Sequence, residues 1–188
     1  MPSVSMSEAM PASPTTGLPT IAGAGVSVVE APASAKLLLR LTAEARARAD
    51  RELGLVVPLR PLTSNVTSRG TCLWLGPDEW LIVLPAEAAG PGGAISELER
   101  ALEGLHRSIV DVGANRAAIA LTGRDRHDVL SKGCGLDLHP RSWRAGSCAQ
   151  TLLARVPVIL QERDADTRVF VRASYLGYVT AWLERASG

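Results

Sequence analysis

The amino-acid sequence predicts an α+β protein made of two ferredoxin-like (split βαβ) halves packed together. Short apolar runs of strand length alternate with segments of helical periodicity. The order strand, helix, strand pair, helix occurs twice, which is the ferredoxin-like pattern. The two occurrences are offset by 80 residues, with Leu41-Thr42 and Leu121-Thr122 each ending a strand and opening a helix. A chain of 188 residues is long enough to bury a normal core in this arrangement.

The first half is expected over residues 34–112. Lys36–Leu41 has strand length, and Thr42 is a good N-cap for the Ala-rich helix Ala43–Leu53. Thr71–Leu75 and Trp80–Leu84 are strands joined by turn residues. Because the second of these strands is apolar on both faces, we expect it inside a covered sheet, with Trp80, Ile82 and Leu84 as a core stripe. A helix over Ile95–Leu105 and a strand over Ser108–Val112 complete the half.

The second half is expected over residues 113–188. It starts with the strand Arg116–Leu121 and a helix bracketed by Gly123 and Gly133. Gln150–Leu160 is strand-like, but Pro157 interrupts it and indicates a bulge or an edge. The strand Arg168–Arg172 and a last helix follow.

Residues 1–33 differ from the rest of the chain in composition. They are rich in Ala, Pro, Ser, Thr and Gly, and they contain neither Lys nor Arg. A segment without a regular apolar period cannot offset its ordering entropy, so we predict a mobile arm. The missing cationic residues argue against a secretory signal or a transit peptide, so a cytoplasmic location is expected.

Composition excludes several classes of function. Lys and Arg number 20 against 19 Asp and Glu, which argues against a general nucleic-acid binder. The longest apolar runs, Leu37–Leu39 and Trp80–Leu84, are far too short to cross a bilayer. The three cysteines form no disulfide framework.

No catalytic, cofactor-binding or metal site is predicted. Cys134, His139 and Cys148 are spaced unlike a zinc knuckle and lack a fourth ligand. Asp111 and His127 could be combined with a serine into a triad, but no nucleophile elbow is present. Gly23-Ala24-Gly25 is an incomplete dinucleotide fingerprint, and the glycine run Gly90–Gly93 lacks the Lys-Ser/Thr of a P-loop.

One loop is a candidate for partner contact. His139–Arg144 lies between elements and combines Arg141, Trp143 and Arg144. Arg and Trp are the residues that most often anchor protein interfaces. The alternative interpretation is an ordinary loop with one buried Trp.

Four segments of the chain resemble the gamma subunit family of heterotetrameric sarcosine oxidase. These segments are LGPDEWL at 75–81, DVGANRAAIALTG at 111–123, DVLSKGCGLDLHP at 128–140 and CAQTLL at 148–153. The resemblance covers about Lys36 to Leu183. The unit of strand, Thr-Gly and helix, together with the Trp74/Trp80 hairpin, is more distantly similar to the folate-binding aminomethyltransferase, or glycine-cleavage T-protein, fold.

This resemblance implies an accessory, non-catalytic subunit of an oxidoreductase that acts on CH–NH groups. The family reaction is the oxidative demethylation of sarcosine to glycine, with hydrogen peroxide and methylene-tetrahydrofolate as further products. The implied partners are the alpha, beta and delta subunits, and the implied cofactors, FAD, FMN, NAD, zinc and tetrahydrofolate, lie in those chains. An oxidase for another N-methyl amine is equally compatible with the sequence.

A free-standing folate-binding regulatory module of T-protein type is the alternative function. The T-protein family places an Asp pair just before the first hairpin strand. This chain has Ser68 and Arg69 near that position, and an arginine cannot hold a folate amine or act as a base. The resemblance therefore implies the fold without carrying the catalysis over.

Overall fold

In the computed structural model, residues 20–23, 25–88 and 93–188 are described. Two antiparallel sheets pack face to face, and helices cover the outer face of each. The α+β class and the T-protein-like pairing of two halves are thereby confirmed. Among the described residues, no helix is long and apolar enough to span a membrane.

The first sheet has the strand order β4-β5-β6-β3-β7. Strand β3 is followed by helix α1, the hairpin β5–β6, helix α2 and strand β7, which is the ferredoxin-like order with β4 added at one edge. The bounds of these elements are β3 Ser34–Leu41, α1 Ala43–Leu53, β4 Ser64–Val66, β5 Thr71–Gly76, β6 Glu79–Pro85, α2 Ala94–Ala101 and β7 Arg107–Asp111.

The second sheet has the order β1-β2-β8-β11-β10-β9 and carries helices α3 and α4. The order β2-β8-β11-β10 repeats the order β7-β3-β6-β5 of the first sheet, so the ferredoxin-like arrangement recurs; β2 precedes β8 in the chain, and β9 is added beyond β10 as β4 is added beyond β5. The elements are β1 Ile21–Gly23, β2 Val26–Glu30, β8 Arg116–Thr122, α3 Arg126–Ser131, β9 Cys148–Leu153, β10 Val156–Glu162, β11 Thr167–Arg172 and α4 Leu176–Ser187.

The structure has two strands where the sequence predicted one. Gln150–Leu160 falls on β9 and β10, which a two-residue turn at Ala154 and Arg155 joins. Both turn residues have positive φ, 49° and 70°, as the hairpin turn requires. The prediction of a bulge or edge at Pro157 is wrong, since β10 lies between β11 and β9. Proline is tolerated there because β10 pairs with β11 only from Val158 onward.

The predicted arm is wrong for the part of it that the structure describes. Residues 1–19 and 24 lie outside the described residues. Strand β2 pairs with β8, and its Val26 and Val28 are buried beside helix α3. The apolar alternation of this segment is short, but it gains a partner because one side of β8 is otherwise free to pair. Gly23 and Gly25 flank the turn between β1 and β2, and they do not open a helix.

The core has three layers, and strand β6 contributes to two of them. Trp80, Ile82 and Leu84 face α1 and α2, which confirms the predicted stripe. Leu81, on the opposite face, packs between the sheets with Phe170 of β11. Both sheets are covered on both sides, which explains why their central strands are apolar at nearly every position.

Candidate partner-docking groove

Two long loops meet where the two halves join. The first connecting loop, residues 54–63, leads from α1 to β4, and the second connecting loop, residues 132–147, leads from α3 to β9. An open cleft of about 620 Å³ lies between them. We call it the docking groove; it is lined by residues 58–65 and 142–147.

Hydrogen bonds to the first sheet and to helix α1 hold the first connecting loop in place. The Trp80 indole Nε1 donates to the carbonyl of Pro58 at 2.8 Å. The amide of Val57 donates to Oδ1 of Asp50 at 2.9 Å. Val57 is buried, whereas Val56 and Leu59 are 51% and 66% exposed. The loop is therefore fixed along its inner side and presents aliphatic side chains outward.

Leu62 is held in an unfavourable backbone conformation at the groove. Its φ is +61°, in the left-handed region that β-carbon-bearing residues rarely adopt, and its side chain is 55% exposed. Its carbonyl accepts the amide of Cys148 at 3.0 Å, and the amide of Ser64 donates to the carbonyl of Gly146 at 2.7 Å. These bonds between the two halves fix the backbone that turns the Leu62 side chain outward.

A buried carboxylate holds the second connecting loop. Oε1 of Glu162 accepts Nη2 of Arg126 at 2.7 Å. Oε2 accepts both the Trp143 indole at 2.8 Å and the Thr167 hydroxyl at 2.6 Å. Nε2 of His127 lies 3.0 Å from Oε1. Glu162, at the end of β10, thus ties α3, β11 and the loop together.

The hydrogen bonds keep Glu162 ionised in spite of its burial. Burial alone would raise the pKa of this carboxyl, but the hydrogen bonds from Thr167, Arg126 and His127 outweigh it and the pKa is lowered. The Glu162 backbone adds to the anchor, since its amide donates to Ser147 at 2.8 Å and its carbonyl accepts from Gly146 at 3.0 Å.

The predicted anchor loop divides into one core residue and two surface residues. Trp143 is 6% exposed and packs in the core of the second sheet. Its prediction as a partner anchor is wrong, because its indole is already committed to Glu162. Arg141 and Arg144 are exposed, and their contact with a partner stays a prediction.

Three arginines surround the groove without an internal counter-charge. Arg60 and Arg144 line it, and Arg141 lies next to the lining residue Ser142. Their guanidinium groups make no ion pair or hydrogen bond within the described part of the chain. The nearby Asp137 carboxylate is engaged locally: the Ser142 hydroxyl and the His139 amide hold its pKa below the usual range.

The three residues considered above as metal ligands lie apart in the structure. Cys134 packs on the helix-covered face of the second sheet, Cys148 packs between the sheets, and His139 is exposed. Burial raises the pKa of Cys148 and of Cys72 to about 12. Within residues 20–23, 25–88 and 93–188, no group of three His, Cys, Asp or Glu could hold a metal ion.

The two residues considered for a catalytic triad, Asp111 and His127, also lie apart. Asp111 ends β7 of the first sheet and accepts the amide of Gly113, while His127 lies beside Glu162. Arg69, which the sequence places near the expected position of the T-protein acidic pair, forms an ion pair with Glu97 at the surface. The glycines at 90–92 lie outside the described residues, and Gly93 is the N-cap of α2.

Sequence reasoning missed the Glu162 cluster and the first connecting loop. Arg126, Trp143 and Glu162 are far apart in the chain, and no spacing rule connects them. One signal was available: Glu162 ends a strand whose first five residues are apolar, and a buried carboxylate needs partners.

Comparisons with known proteins agree on the family. The model of the "Sarcosine oxidase, gamma subunit family" matches residues 42–188. Sarcosine oxidase subunit gamma of an Arthrobacter species is 38% identical over 112 residues, which are 59% of this chain and 53% of that protein. The counterpart from Corynebacterium sp. strain U-96 is 32% identical over 143 residues, 76% of this chain and 67% of that protein. The match thus spans about half the length of the Arthrobacter relative.

Solved structures extend the agreement to the fold. A chain of the heterotetrameric sarcosine oxidase from Corynebacterium sp. U-96, in complex with pyrrole 2-carboxylate, aligns with a TM-score of 0.80 at 29% identity, covering 89% of this chain and 87% of that one. The glycine cleavage system aminomethyltransferase T from Bartonella henselae aligns with a TM-score of 0.62 at 14% identity, covering 86% and 46%, which shows a common fold. With the family model matched over residues 42–188, the chain belongs to the sarcosine oxidase gamma subunit family.

Proposed function

We propose that this chain is an accessory, non-catalytic subunit of a heterotetrameric sarcosine oxidase. The observation that carries the proposal is the match along nearly the whole fold to a chain of such a complex. The complex would convert sarcosine to glycine in the cytoplasm, with hydrogen peroxide and methylene-tetrahydrofolate as products. FAD, FMN, NAD, zinc and tetrahydrofolate would be bound by its alpha, beta and delta subunits.

The residues of this chain support a role in assembly rather than in turnover. Its most strongly bonded ionisable group, Glu162, is 3% exposed and saturated by internal donors, so it is not available to a substrate. The docking groove, in contrast, combines exposed aliphatic side chains with uncompensated arginines. A permanent subunit buries more than about 2,000 Å² in its contacts, so the groove would be one part of a larger interface.

Co-purification tests this proposal. The tagged chain, produced in its native cells, is expected to bring down a flavin-coloured complex of four different chains that oxidises sarcosine. Recovery of the tagged chain alone, under conditions in which the other three chains co-purify with each other, would overturn the subunit role. Assays with other N-methyl amines on the same complex identify its substrate.

The same preparation tests the alternative function, the free-standing folate-binding module. We expect the isolated chain to show no saturable quenching of its tryptophan fluorescence on titration with tetrahydrofolate, because Arg69 pairs with Glu97 where the T-protein family has acidic residues. Saturable binding with one site per chain would favour the module instead.

A further inference from the structure

The first connecting loop, which forms one wall of the docking groove, exposes several aliphatic side chains. Val56, Leu59 and Leu62 are large aliphatic side chains, and all three are more than half exposed along one ten-residue loop. Scattered single exposures are common, but Leu59 and Leu62 both line the groove, which favours a contact site there. Leu62 is the sharpest case, because its left-handed backbone is unfavourable and yet is held by hydrogen bonds from the other half.

The loop is also rigid before any partner arrives. Pro58 and Pro61 restrict its backbone, and Trp80 holds the carbonyl of Pro58. The opposite wall is fixed by Glu162 through Trp143 and Gly146. A surface that is already ordered loses little conformational entropy on binding, which favours affinity.

The charges around the groove define the chemistry of its occupant. Arg60, Arg141 and Arg144 are exposed and make no ion pair within the described residues. The whole chain carries a formal net charge of +1, so the positive charge here is local and does not extend over the protein as in a nucleic-acid binder. Docking of two copies groove to groove is also disfavoured, because that arrangement would bring two sets of the same arginines close together.

We infer that the docking groove receives a segment of a partner subunit that carries aliphatic side chains flanked by carboxylates. This inference rests on the proposed function and adds the place and the chemistry of the contact. The aliphatic side chains pack on Leu59 and Leu62, while the carboxylates pair with Arg60 and Arg144. Arginine suits this role because its planar guanidinium can bind a carboxylate through two hydrogen bonds.

Co-expression with the alpha, beta and delta subunits, with the affinity tag on alpha, tests the inference. Leu59→Asp places a charge where an aliphatic contact is expected, and Arg60→Glu with Arg144→Glu reverses the rim. Each change should lower the amount of this chain that the tagged alpha subunit retains by a factor of at least about ten, which is the effect of losing a hot-spot contact. In the wild-type complex, retention should fall as NaCl is raised, and Arg60→Gln with Arg144→Gln should flatten that dependence.

Matched controls lie on the same protein outside the groove. Leu152 is 54% exposed on β9, and Arg155 is exposed in the turn that follows. Leu152→Asp and Arg155→Glu should be retained like the wild type. An unchanged melting temperature of every isolated variant shows that the fold is intact.

The possible failures are distinguishable. If the wild-type chain is not retained, the proposed function fails. If the wild type is retained and the groove variants are retained equally, the inference fails while the proposed function stands. A dimer of the isolated chain that Leu59→Asp dissociates would overturn the inference in favour of a second copy as the occupant.

Discussion

The two connecting loops occupy equivalent places in the two halves but are fixed in different ways. Each follows the first helix of its half and leads into the outer strands of its sheet. The first loop is held by neutral hydrogen bonds from Trp80 and Asn65 and by the Asp50 carboxylate at the end of α1. The second is held by Glu162, a carboxylate buried within the second sheet.

Because of this difference, the two walls of the groove are expected to respond to different changes. Hydrogen bonds to an ionised, buried group are stronger than neutral ones, but they depend on the group staying charged. The second wall is therefore expected to depend mainly on one buried charge, and the first wall more on neutral hydrogen bonds and on shape.

Glu162→Gln should have the largest effect. Both oxygens of Glu162 accept hydrogen bonds from donors, so the amide nitrogen of glutamine necessarily faces a donor. Breaking a buried ion pair on one side lowers the free energy of unfolding by about 3–5 kcal/mol. Urea unfolding of the variant measures this, with the exposed Glu184→Gln as control. A loss below about 1 kcal/mol would mean that the carboxylate is not the anchor.

The pH dependence of the unfolding free energy, measured for the wild type and for Glu162→Gln, provides a second test. The folded-state pKa of Glu162 is lowered, so its contribution to stability is fully present above the unfolded value of about 4.3 and is lost as the pH falls through the folded pKa. The difference in unfolding free energy between wild type and Glu162→Gln should therefore be constant near neutral pH and shrink below about pH 4. A difference that grows on acidification would contradict the assignment.

The two tryptophans allow a direct comparison of the walls. Trp143→Phe removes a hydrogen bond to a carboxylate, and Trp80→Phe removes one to the neutral carbonyl of Pro58. The expected hydrogen-bond contributions are about 1.5–3 kcal/mol for the first and about 0.5–1.5 kcal/mol for the second. Both changes remove the same indole volume, so the order of the two losses in chemical denaturation is the readout. Equal losses would show that the acceptor's charge is unimportant.

Leu62→Gly should have the smallest effect on stability and the opposite sign. The left-handed backbone is unfavourable by about 1–2 kcal/mol for a residue with a β-carbon, whereas glycine adopts it freely. Glycine also gains about 0.5–1 kcal/mol of entropy in the unfolded chain, so the net stabilisation lies between about zero and 1.5 kcal/mol. Thermal unfolding measures it. The same variant should weaken assembly, because the exposed leucine is gone; a destabilised variant would show that Leu62 is not strained.

Much of the fold could be predicted because its signals are local. The strand from Trp80 to Leu84, the helix capped by Thr42 and the core stripe of Trp80 all follow from residue pattern alone. The β9–β10 turn could not be predicted, since Ala154 and Arg155 adopt positive φ without the glycine or asparagine that usually marks it. Strand β2 depends on the free side of β8, which only the assembled sheet provides.

The site was predictable only in part, for a related reason. Arg141 and Arg144 stand out in the sequence because they lie in a loop beside an aromatic residue, but nothing local reveals that Trp143 turns inward to Glu162. The exposed leucines of the first loop look like ordinary core residues in the sequence. Their exposure follows from hydrogen bonds that reach across 80 or more positions, such as that between Ser64 and Gly146.

Hydrogen–deuterium exchange of the free chain and of the assembled complex can locate the surface that meets the partner. The proposal is that the two connecting loops together form it. It predicts that peptides covering residues 56–62 and 141–147 exchange markedly more slowly in the complex than in the free chain. It would be contradicted if those peptides exchanged equally in both states while protection appeared elsewhere, for example along the outer edge of β7.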